Sequence, residues 1–187
     1  MTVTPLSGAA YTVWPVMHQY LTTKKKLKSV NQDEALVLMR KGAILIDVRL
    51  GLDYAKEHAE GSVSVPLFRL TAGNEIWDNI KRVVMASLNM RPTERDPDFV
   101  KNVEKVVGGN KKKKIILMCS IGGTLDTVVR VASTGKKTET DKDRAFGRES
   151  RSLKACYELM RAGFTDVVHL EGGLGDWRYN GYPMADI

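Results

Sequence analysis

Only two cysteines occur in the 187 residues, Cys119 and Cys156, and their surroundings differ. Cys119 follows the apolar run Ile115–Met118 and opens Cys119-Ser120-Ile121-Gly122-Gly123-Thr124. Paired glycines let a chain turn so tightly that backbone N–H groups converge on one point, and such a nest attracts an anion. Beside a thiol it favours the thiolate, which is the nucleophilic form. The expectation is a sulfur nucleophile at Cys119, with an anionic partner held by the amides of Ser120, Ile121, Gly122, Gly123 and Thr124. Cys156 lies beside Ala155 and near Leu159 in a helical pattern and reads as core. No second thiol is close in sequence, which argues against a dithiol mechanism. A four-ligand zinc site would need more sulfur at characteristic spacing, so neither a metal nor a cofactor is expected.

The elements that must position this turn are short and apolar. Residues 43–48 (AILIDV), 63–65, 115–118 (IILM) and 167–170 are near-continuous apolar runs, the pattern of strands covered on both faces. Between them lie helical patterns. Asn31 with Glu34 three residues later is a capping-box pair, followed by the stripe Ala35, Leu36, Leu38 and Met39 and a terminal Gly42. Residues 152–162 carry helical spacing and end at Gly163. Alternating buried strands and helices predict an α/β domain with a mostly parallel sheet and helices on both faces. In such a sheet ligands sit beyond the carboxyl ends of the strands, where Cys119 stands.

A chain of this length builds one sizeable core. The apolar share of 43% and charged share of 27% are ordinary for a globular domain. Residues 1–29, which mix Thr, Gly, Pro and Lys with isolated apolar side chains, read as an N-terminal arm packed on the domain or on a partner, and residues 30–187 as the domain. Within it, 67–110 carry extra helical patterns around 76–88 and 98–107, and the polar stretch 124–150 reads as a long loop. No apolar run approaches the roughly 18 residues of a membrane span, and no secretory signal opens the chain. The net charge of +7 favours anionic partners. Much of it sits in 24–26 and 111–114, runs without interleaved aromatics, which argues against nucleic acid.

With these residues in view, the chain resembles the rhodanese-like family. Residues 44–49 (ILIDVR) match its Asp-Val-Arg, and 53–66 (DYAKEHAEGSVSVP) its acid-aromatic, histidine, glycine and Val-Pro pattern. Arg151-Ser152, Gly163-Phe164, Val167, Leu170-Glu171-Gly172-Gly173, Trp177, Gly181 and Pro183 follow the family's order. The resemblance implies a five-stranded parallel sheet flanked by helices, and transfer of sulfane sulfur from an anionic donor to a thiol or other acceptor. It implies a persulfide on Cys119, with Arg151 neutralising donor charge, Asp47 and Arg49 as buried supporting residues and His58 capping the neighbouring turn. Family members close the active loop within a few residues, whereas here residues 120–150 precede Arg151, a long insertion. The Cys-Ser, Gly-Gly-Thr-Leu and Arg-Ser-Leu pieces resemble plastid rhodanese-like proteins of plants and algae, which favours an organelle, the chloroplast stroma or thylakoid surface first.

Two function classes follow. One is the sulfurtransferase. The other is a rhodanese-fold protein of weak or lost activity that serves as an interaction or assembly subunit of an organelle membrane complex. It would dock through residues 1–29, 67–110 and 124–150, with peripheral rather than spanning membrane contact. A phosphatase of related topology needs its Arg about five residues after the Cys, and the spacing here does not provide it.

Overall fold

The computed structural model describes residues 2–3, 11–70, 93–126, 128–130, 137–139 and 149–186. Five parallel strands form the central sheet: β1 (Lys28–Val30), β2 (Ile44–Asp47), β3 (Val63–Ser64), β4 (Ile115–Met118) and β5 (Val167–Leu170). Their spatial order is β1-β5-β4-β2-β3, so the longest apolar runs occupy the middle and the short polar strands the edges. The α/β architecture with a five-stranded parallel sheet is as expected.

Side chains alternate along each strand and divide between two cores. Ile115 and Leu117 of β4, Ile46 of β2 and Val167 of β5 face one side. There they meet α4 (Phe99–Val106) through Phe99 and Val103, and α5 (Arg151–Arg161) through Leu153, Ala155, Cys156, Leu159 and Met160. Ile116, Met118, Leu45, Val168 and Leu170 face the other, where Ala35 of α2 (Gln32–Arg40) and Leu174 and Trp177 of α6 (Gly173–Tyr179) cover them. Cys119 continues the β4 alternation and so points toward α5.

The α2 capping box forms as read: Asn31 Oδ1 accepts from Glu34 N–H at 2.9 Å, and Glu34 Oε2 accepts from Asn31 N–H at 3.2 Å. One reading needs correction, and the arm is found packed on the domain. Residues 124–150 are not loop throughout, because Val128–Arg130 pairs antiparallel with Lys137–Glu139. The stretch before residue 30 contains a helix, α1 (Trp14–Gln19), a π-helical turn (Tyr20–Lys24) and the start of β1. Trp14, Met17, Leu21 and Leu27 are buried in the α5-side core. Within the extra segment, Phe68–Leu70 pairs with Thr93–Arg95 ahead of α4. The helical pattern at 76–88 lies outside the described residues.

Candidate active site

Cys119 is buried at the carboxyl end of β4 and lines a cleft of about 390 Å³ together with Ser120, Ile121, Glu149, Ser150, Arg151 and Lys154. The fold closes the gap in sequence between Cys119 and Arg151 by packing the first turn of α5 against the Cys119 turn. Ser150 caps α5, its Oγ accepting from Leu153 N–H at 3.2 Å. A helix N-terminus carries a partial positive charge that favours a nearby anion. Arg151 lies over the Phe68 ring at 5.7 Å, and Lys154 pairs with Glu149 at 2.8 Å. The cleft therefore presents a thiol beside two cations and one carboxylate.

The turn itself is held by its carbonyls. Leu174 N–H donates to Cys119 O at 2.8 Å and Gly175 N–H to Ser120 O at 2.9 Å, so the start of α6 clasps the turn from the opposite face. The clasp demands glycine. A Cβ on Gly173 (φ +57°) would stand 2.2 Å from Cys119 O, and one on Gly122 (φ +70°) 2.6 Å from Gly172 N. Gly122 O points inward, accepting from His169 Nε2 at 2.7 Å, Ser152 Oγ at 3.1 Å and Ser150 Oγ. A carbonyl only accepts, so His169 carries its proton on Nε2, and Nδ1 accepts from Ser29 Oγ at 3.1 Å. Burial lowers the His169 pKa to about 4, against the opposing effect of its bond to Gly122, so the ring is neutral. Register explains the row: Ser29 of β1 stands opposite His169, and His169 opposite Leu117, two residues before Cys119.

The amide nest takes a different form from the one read in the sequence. With Gly122 O drawn inward, Gly123 N–H turns back onto Ile121 O at 2.8 Å. Thr124 leaves the Cys119 cleft and, with Leu125 and Asp126, lines a second cleft of about 410 Å³ beside Thr22, Lys26, Ser29 and Glu171. The polar neighbour of Cys119 Sγ is the Ser152 hydroxyl, at 3.2 Å. Cys156 lies one turn along α5 from Ser152, and burial, chiefly, pushes its thiol well up, with the Coulombic effect of Cys119 adding to it.

Asp47, Arg49 and His58 sit away from the cleft lining. Arg49 Nε donates to both Asp47 oxygens at 3.0 and 2.9 Å, its Nη2 to Oδ2 at 2.7 Å and to Glu57 O at 2.7 Å. Both side chains are buried, and a buried pair this completely hydrogen-bonded is the form in which interior charge is tolerated. His58 Nδ1 donates to Tyr54 O at 3.0 Å while its ring stacks on Tyr54 at 3.9 Å. These contacts fix α3 (Gly51–Tyr54) and the turn after it.

The family model of the rhodanese-like domain matches residues 31–180, spanning the sheet, the Cys119 turn and α6. The chain belongs to the rhodanese-like domain family. Among its relatives, rhodanese-like domain-containing protein 14, chloroplastic, of Arabidopsis thaliana is 32% identical over 98% of this chain and 75% of its own length. Thiosulfate sulfurtransferase 16, chloroplastic, of the same plant is 26% identical over 83% of this chain and 90% of its own. Among solved structures, the rhodanese-like domain of an Anabaena protein superposes with a TM-score of 0.48 at 17% identity, over 85% of this chain and 79% of that one.

Ser29, Ser150, Ser152 and His169 complete this rhodanese-like site without having been singled out as functional. Ser150 ahead of the apolar-periodic Leu153 is an N-cap signal. His169 breaks the run Val-Val-His-Leu, and one polar residue in an interior strand is a signal that it has a partner.

Proposed function

We propose that the chain is a sulfurtransferase that carries sulfane sulfur on Cys119. The observation that carries this reading is a thiol on the wall of a small cleft that Arg151 and Lys154 make cationic. A donor such as thiosulfate enters as a dianion. The Cys119 thiolate attacks its outer sulfur, the donor S–S bond breaks, and sulfite leaves with the electron pair, giving a Cys119 persulfide. A nucleophilic acceptor, a thiolate for example, then attacks the outer sulfur and Cys119 leaves as thiolate. Arg151 and Lys154 offset donor charge on entry and on sulfite departure, while the α5 N-terminus favours the bound anion.

The similarity to a protein named a thiosulfate sulfurtransferase supports the reaction class, and two relatives named chloroplastic support a plastid setting. The second reading, an assembly subunit on a thylakoid or other organelle membrane complex, draws on the paired strands Val128–Arg130 and Lys137–Glu139 inserted between Cys119 and Arg151. Among the described residues no helix is long and apolar enough to cross a membrane.

Mass spectrometry after incubation with thiosulfate decides between them. The expected result is one added sulfur on Cys119, removed by thiols and missing in Cys119→Ser. A folded protein that takes up no sulfur leaves the assembly reading in place.

A further inference from the structure

The geometry points to Ser152 as the hydrogen-bond donor that seats the sulfur anion of Cys119, and to His169 as the positioning residue that leaves Ser152 free to do so. Three acceptors compete for the one hydroxyl proton of Ser152: Gly122 O at 3.1 Å, Ser150 Oγ at 3.1 Å and Cys119 Sγ at 3.2 Å. A carbonyl oxygen offers two lone pairs. On Gly122 O the two nearer donors are Ser150 Oγ, the shortest contact, and His169 Nε2–H at 2.7 Å, so Ser152 at 3.1 Å is the third and weakest donor to that oxygen. Ser150 Oγ already accepts from Leu153 N–H and gives its own proton to Gly122 O. It competes for the Ser152 proton as a neutral acceptor.

Against a neutral acceptor, a sulfur anion wins, since charge-assisted hydrogen bonds are about twice as strong as neutral ones. While Cys119 is a thiol, its S–H donates to Ser152 Oγ. When the sulfur becomes anionic, the hydroxyl turns and donates to it, with no backbone movement. Ser29 locks the arrangement from the far side: its hydroxyl donates to His169 Nδ1, which holds the neutral ring in the tautomer that donates from Nε2. The charged groups on the cleft, Arg151, Lys154 and Glu149, act on the sulfur from the solvent side. The serine and histidine act from the protein side.

The inference rests on Cys119 as the sulfur carrier, but its test reads the thiolate and not sulfur transfer, so the two fail separately. Iodoacetamide alkylation of Cys119 is followed across pH by peptide mass spectrometry, which separates it from Cys156. Ser152→Ala is expected to move the profile to higher pH and slow alkylation at neutral pH about tenfold, the order expected for losing one hydrogen bond to a charged acceptor; Ser152→Thr keeps the donor and restores the rate. His169→Leu frees a lone pair on Gly122 O, which recaptures the Ser152 proton, and slows alkylation the same way. His169→Gln, whose amide N–H reaches that carbonyl, restores it. The double variant Ser152→Ala with His169→Leu is no slower than Ser152→Ala alone.

Ser29→Ala, at an edge strand where folding is not at stake, slows alkylation in the same direction and less. A Ser152→Ala protein that alkylates like the parent overturns the proposal. So does a His169→Leu or Ser29→Ala effect that adds fully to that of Ser152→Ala, since the histidine would then act by some other route. Normal alkylation shifts in a protein that takes no sulfur from thiosulfate would retain the seat and remove the transfer reaction.

Discussion

Cys119 and Cys156 are the same side chain in two settings. Cys119 ends a strand, borders a cleft and meets a hydroxyl; Cys156 is enclosed by Leu153, Leu159 and the sheet, where burial raises its thiol. The difference was visible in the residues around each: a glycine pair after one, a helical apolar pattern around the other. The polar row that reaches the Cys119 turn from distant strands was not visible, because nothing local marks that Ser29 will meet His169 and His169 will meet Gly122 O. Their alignment comes from sheet register. His169 also ties the site to pH. The unfolded chain takes up a proton at the ordinary histidine value near 6.5, whereas the folded chain resists until about pH 4. The contribution of the neutral ring is therefore complete above about pH 6.5 and falls as pH drops toward 4, by about 3 kcal/mol in all. Urea titrations of the parent and His169→Gln at pH 7 and pH 4.5 should differ in their stability gap by about that order. An unchanged gap would mean that the ring is already charged or not buried in solution.

Among the elements, β4 and β5 were readable to the residue because uninterrupted apolar runs are required of strands covered on both faces. β1 was not, since an edge strand needs only one covered side and Lys28-Ser29-Val30 carries no run. α1 was missed for a related reason: six residues offer too few turns for a period to show. The paired strands 128–130 and 137–139 hide in a charged stretch because three residues each are too few to show an alternation. The clasp between the Cys119 turn and α6 is the element-level feature most open to test. Gly173→Ala places a methyl against Cys119 O at a positive φ that L residues rarely adopt, and should cost about 3 kcal/mol from overpacking and strain together. It should also slow persulfide formation by displacing the turn. Gly181→Ala, at φ +72° with open space around its Cβ, should cost about 1 kcal/mol and leave the thiol untouched. Equal losses in urea unfolding for the two variants would show that the close approach is not what constrains Gly173.

For the whole molecule, the arm takes the first of its two expected places, packed on the domain as part of the core. Trp14, Met17, Leu21 and Leu27 are buried against it, and Tyr20 meets Tyr157 of α5 edge-on at 5.1 Å. At about 2 kcal/mol for each large apolar side chain withdrawn from water, deleting residues 1–27 removes an amount comparable to the full stability of an ordinary domain. The shortened chain should lack a cooperative thermal transition by circular dichroism. A sharp transition near that of the parent would return the segment to the status of an appendage. Trp14, Met17 and Leu21 do stand at helical spacing, but over two turns among Thr and Lys the stripe is too short to stand out. The strand order carries a consequence for synthesis. Ser29 and His169, adjacent in the finished sheet, leave the ribosome 140 residues apart. The nascent β1 segment thus waits until β5 has been made before it finds a neighbour, and this rhodanese-like sheet closes only with the synthesis of its fifth strand.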